Sequence, residues 1–156
     1  MVKQITFSGI HAWNIEANVG LSSPNKTLDV QLVQFGYLMM SINPKNVLQD
    51  FEREALAGMK VGQPCNGTPS DPLVKVIIAH QRSRGGVQDG KVSVISTASG
   101  AYVQGGKFTY ILAALCNNMR QMAIVTYPRI DQHELCPFEL KKAVFESYGN
   151  PGFLIQ

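Results

Sequence analysis

The chain has 156 residues, enough for one core of ordinary size, and 45% of them are hydrophobic with 8 Pro and 14 Gly, which excludes a disordered polymer. Charged residues make up 16%, against about 25% in an average domain, while Gln, Asn, Ser and Thr number 36, so the surface is polar yet weakly ionised. The longest apolar run, Tyr110 to Cys116, falls far short of the ~20 residues of a membrane span. The opening Met1 to Phe7 carries no signal-peptide core, and the expectation is a soluble protein of the cytoplasm or a virion, with no membrane partner.

The periodicity predicts a mainly α, single compact helical domain over 1–156, with about five helices and a small β hairpin or extended element around 87–104. Residues 1–20 read as an N-terminal arm or strand on Val2, Ile5 and Phe7, irregular through Trp13, Ile15 and Val19. From Thr27, the apolar positions Leu28, Leu32, Phe35, Met39 and Ile42 alternate spacings of four and three, the mark of a helix. Asn43-Pro44 interrupts it, Pro44 suits the first turn of a second helix, and Val47, Leu48, Phe51, Ala55 and Met59 give that helix an apolar face.

Gly62, Pro64, Gly67, Pro69 and Pro72 mark a long loop over 60–72. Asp71-Pro72 caps a third helix over 73–84 that Gly85-Gly86 closes. Asp89-Gly90 reads as a hairpin turn followed by Val92, Val94 and Thr97, with 101–103 extended. Phe108 to about Val125 has the density of a central core helix, ended by Pro128. Asp131 with Glu134 fits a capping box, and Pro137 to Tyr148 reads as a last amphipathic helix carrying Phe138, Leu140, Val144 and Phe145. The end, 150–156, is an apolar C-terminal arm built on Phe153-Leu154-Ile155.

Charge is unevenly spread. Residues 60–129 hold eight basic and two acidic side chains, whereas the rest holds six basic and nine acidic ones. A basic middle between acidic ends suits a polyanion at the centre and neighbouring copies at the flanks. Interface centres are depleted in Lys, Glu and Asp, so the low charge content also points to self-association.

Arg82-Ser83-Arg84-Gly85-Gly86 is a basic turn whose glycines let a phosphate approach, and Lys75, Lys91, Lys107 and Arg120 extend the stripe. Tyr102, Phe108 and Tyr110 offer faces on which single-stranded bases could stack. The segment 100–109 imitates a P-loop, but Ala101 stands where glycine is needed and Phe108 where a magnesium-binding hydroxyl is needed. What survives is two glycines and Lys107 at a helix start, able to hold one phosphate.

Cys65, Cys116 and Cys136 form an odd set without export signals, so reduced thiols are expected and no disulfide framework. His133 and Cys136 stand three apart; Cys65, Cys116, His80 or His11 would have to approach to complete a metal site, and no second pair with zinc spacing exists, so no metal or other cofactor is expected. Cys136, just before a helix, is the best candidate nucleophile, with His133 or His80 as base.

The combined expectation is a non-enzymatic, self-assembling subunit that binds single-stranded nucleic acid, RNA before DNA, through its basic mid-chain surface, in the manner of a viral coat or nucleocapsid protein. A tube, shell or adaptor subunit without nucleic acid and a small cysteine-dependent enzyme are the alternatives.

Overall fold

The computed structural model describes residues 1–7, 9–96, 103–104 and 107–149. The expected stretches at Thr97, at 101–102 and at 150–156, including the apolar arm, lie outside the described residues, as does Tyr102. Within them the protein is mainly α with small two-stranded antiparallel sheets. The five helices are α1 (Thr27–Ile42), α2 (Asp50–Ala57), α3 (Pro72–Arg84), α4 (Ile111–Met122) and α5 (Phe138–Gly149).

Helix α1 is the centre of the molecule. Its side chains from Asp29 to Tyr37, with Met39 and Met40, are buried, so its apolar stripe is wrapped on all sides. Helix α4 lies against it with Leu112, Leu115, Cys116 and Met119 buried. The close approach needs Gly36: a β-carbon there would stand 2.7 Å from Cβ of Leu115.

The N-terminal arm is a hairpin. Strand β1 (Lys3–Phe7) pairs antiparallel with β2 (Ile10–Asn14), in register from Lys3 opposite Asn14 to Phe7 opposite Ile10. The stretch expected to be irregular thus contains a strand. Ala12, Trp13 and Asn14 are buried consecutively, which erases the period-two signature of a half-exposed strand. Strand β3 (Val19–Gly20) pairs with β4 (Lys91–Val92), so Asp89-Gly90 is not a hairpin turn: its chain crosses to a partner seventy residues away. A second small hairpin joins β5 (Val103–Gln104) to β6 (Lys107–Phe108).

Two helix starts differ from expectation. Helix α2 begins at Asp50, where Gln49 and Glu52 form a reciprocal capping box; Pro44 lies in a turn, Lys45 N–H donates to Asn43 Oδ1, and Val47 is fully exposed. Helix α4 begins at Ile111, because Lys107 and Phe108 are committed to pairing with β5, and it ends at Met122, leaving Val125 in solvent. Asp131 makes no capping box with Glu134. It is buried in a short 3₁₀ turn, Ile130–Gln132, and accepts two hydrogen bonds from the Arg129 guanidinium at 2.8 and 2.9 Å.

Helix α5 rests on the core through the buried Leu140 and Val144 and the half-buried Tyr148, whose ring stands edge-on to Trp13, with Leu140 N–H donating to Gln31 Oε1 at 3.0 Å. Phe138 and Phe145, expected on the buried face, are 77% and 60% exposed.

Candidate functional site

Helix α3 positions the basic turn. Asp71 caps its N-terminus by accepting from Leu73 N–H at 2.8 Å, Pro72 occupies the first turn, and Gly85 ends it in a left-handed conformation with φ 76°. The chain then folds back over the helix end, held by the buried Gln81. The Gln81 amide donates to Asp89 Oδ1 at 2.8 Å and to Lys91 O at 3.2 Å, while its oxygen accepts from Gly90 N–H at 2.8 Å. No side chain fits at Gly20, whose added β-carbon would lie 2.1 Å from Gly90 O.

This return builds a cleft of about 340 Å³ between the end of α3, the 86–91 loop and the start of α4. Arg84, Lys91, Ser93, Thr109 and Tyr110 are among its lining. Lys107 stands at its edge: its Nζ donates to Arg84 O at 3.2 Å, and the Arg84 guanidinium donates to Phe108 O. None of the ion pairs among the described residues involves Arg84, Lys91 or Lys107. Asp89 is the one carboxylate in the lining, and its Oδ1 is engaged by Gln81 and by Lys91 N–H.

The structure therefore brings together three of the six basic residues read from the sequence: Arg84, Lys91 and Lys107. Arg82 and Arg84, two apart, diverge by about 200° around α3. Arg82 packs over the Phe51 ring of α2, 4.1 Å from its centroid, and Lys75, two turns earlier on the same side, lines a separate groove against Phe51 and Glu54. Arg120 lies nine residues into α4, about 13 Å along the helix from Ile111, and donates to Asn117 Oδ1 at 2.7 Å. Lys107 sits in β6, three residues before the N-cap Tyr110. The phosphate loop expected at 105–107 thus does not lead directly into the helix, and Gly105 and Gly106 are outside the described residues.

The chain matches no protein-family model, no curated protein and no solved structure.

Burial raises the pKa of all three thiols. Burial pushes the Cys136 thiol up to about 12, with Asp131 adding to the rise against the opposing charge of Lys141. Burial likewise takes Cys65 and Cys116 up to about 11. His133 Nδ1 accepts from Leu135 N–H at 3.1 Å and its ring packs edge-on against Phe35, while His80 Nδ1 is hydrogen-bonded to Tyr37. Among the described residues no three His, Cys, Asp or Glu side chains gather to hold a metal ion, and no helix is long and apolar enough to cross a membrane.

Sequence reasoning missed Gln81, which fixes the cleft's shape but carries no local signal as one glutamine among eleven. Tyr110 was picked out as a stacking face, and it lines the cleft half-buried.

Proposed function

We propose that the protein is a non-enzymatic, self-associating subunit that holds single-stranded nucleic acid, RNA before DNA, along the cleft at the end of α3, in a coat or nucleocapsid role in the cytoplasm or a virion. The observation that carries the reading is the convergence of Arg84, Lys91 and Lys107 on one open cleft with no carboxylate paired to any of them among the described residues. Cations left unpaired at a concave surface concentrate field lines and attract polyanions. Sequence-independent phosphate contact is the mechanism, and its affinity falls steeply as salt rises.

The cleft favours a strand over a duplex. It is a pocket rather than a protruding helix, and Tyr110 beside the cations supplies an aromatic group where an unstacked base would sit. Lys75, Arg82 and Arg120 stand apart from the cleft and would serve a strand that runs on past it.

Light scattering combined with absorbance at two wavelengths tests the reading on purified full-length protein. The expected result is an assembly of several chains carrying nucleic acid. A lone, nucleotide-free particle that ignores oligonucleotides in dilute buffer overturns it. An assembly that neither carries nor takes up nucleic acid overturns the nucleic-acid half and leaves a shell, tube or adaptor subunit.

A further inference from the structure

Helix α5 meets the core through Leu140, Val144 and Tyr148, and the opposite stripe faces solvent. That stripe carries Phe138 and Phe145, two turns or about 10 Å apart, with Lys142 between them and Glu146 beside. Two phenyl rings exposed on one helix face are a large apolar surface to leave in water. An exposed face of this kind suits a second copy laid against it across a twofold axis.

The charges agree with that symmetry. Lys142 and Glu146 have neither an ion pair nor a hydrogen bond among the described residues. Two α5 helices laid antiparallel about an axis beside position 144 bring Lys142 of each copy opposite Glu146 of the other. The same register sets the two Phe145 rings, one from each copy, on the same side of the axis and next to each other. A register that instead opposes Phe138 to Phe145 would set Lys142 against Lys141, like charge on like.

We infer that the α5 face of Phe145, Lys142 and Glu146 is the surface through which a second copy of this chain docks, antiparallel and twofold. This rests on the self-association half of the proposed function and assigns it to one surface.

Sedimentation of the full-length protein over a concentration series tests it, with circular dichroism to verify each fold. Lys142→Glu and Glu146→Lys, both at exposed positions, should each weaken self-association by about tenfold or more, since each opposes like charges twice per twofold. Mixing the two variants should restore it, because every facing pair is then again of opposite sign. Phe145→Ser should weaken self-association independently of charge. If the wild type stays monomeric at all concentrations, both this surface and the self-association reading fall. If the wild type assembles and Lys142→Glu assembles equally well, the α5 surface alone falls. If assembly is untouched by all three variants while oligonucleotide binding drops, the stripe serves bases and the pairing is overturned.

Discussion

The Tyr37 hydroxyl lies 3.0 Å from His80 Nδ1, a hydrogen bond buried between α1 and α3 with the two rings edge to face. Burial, reinforced by the charge of Arg84 on the same helix, lowers the His80 pKa from 6.5 to about 4. Burial also raises that of Tyr37, with Glu52 of α2 adding slightly. Both groups are therefore neutral in the folded protein at neutral pH.

A stability change with pH follows, and its direction is fixed. Because the folded pKa lies below the unfolded one, the unfolded chain takes up the proton first as pH falls. The contribution of His80 is intact above about 6.5, declines as pH drops below that value, and has gone by about 4. Between about pH 7.5 and about pH 5 the loss should be about 2 kcal/mol. Urea unfolding midpoints at the two pH values measure it, and His80→Gln should flatten the dependence over that interval, whatever it does to absolute stability.

Helices α1, α3 and α5 were legible because their signals are local. The spacing of Leu28, Leu32 and Phe35 marks α1, and the Asp71-Pro72 start with the Gly85 stop brackets α3. What escaped was set by distant partners. Trp13 and Asn14 look irregular until α4 and the loop at Ile95 bury them: Trp13 Nε1 donates to Pro128 O at 2.8 Å and Asn14 Nδ2 to Ile95 O at 2.9 Å. The β3–β4 pairing depends on Gly20 and Gly90 meeting, which neither end announces. For the site, a count of basic residues over 60–129 carries no angular information. The turn of α3 sends Arg82 to Phe51 and Arg84 to the cleft, and Arg129, counted in the same surplus, is spent on Asp131 and the Tyr148 ring.

The tight α1–α4 contact gives a second expectation. Alanine is a better helix former than glycine by about 1 kcal/mol, so Gly36→Ala would stabilise α1 if there were room. There is none: the new carbon would meet Cβ of Leu115 at 2.7 Å and Cε of Met119 at 3.1 Å. The net effect should be destabilisation by about 1–3 kcal/mol, as for other overpacked cores. Gly58, at the end of α2 with φ −84° and its nearest neighbour Ala55 O at 3.5 Å, is the control. Gly58→Ala should be neutral or stabilising by up to about 1 kcal/mol, since it restricts the unfolded chain at no steric cost. Equal effects at the two glycines in chemical denaturation would contradict the close approach.

The division of the basic residues into cleft and non-cleft sets predicts how binding responds to salt. For a single strand, the slope of log affinity against log salt falls by about 0.7 for each phosphate contact removed. Lys91→Ala removes a cation that lines the cleft without an ion pair in the folded protein, so it should lower oligonucleotide affinity and reduce the slope by about one contact. Arg84→Ala should do the same, but it also releases Phe108 O from its donor and will cost some stability, which makes Lys91 the cleaner probe. Arg82→Ala removes a guanidinium stacked on Phe51; the expected outcome is a stability loss of about 0.5–1 kcal/mol with a smaller change in slope. Binding isotherms for a short single-stranded RNA at several salt concentrations distinguish the sets. If Arg82→Ala lowers the slope as much as Lys91→Ala, the strand follows the α2–α3 groove beside Lys75 and the cleft is not its main contact.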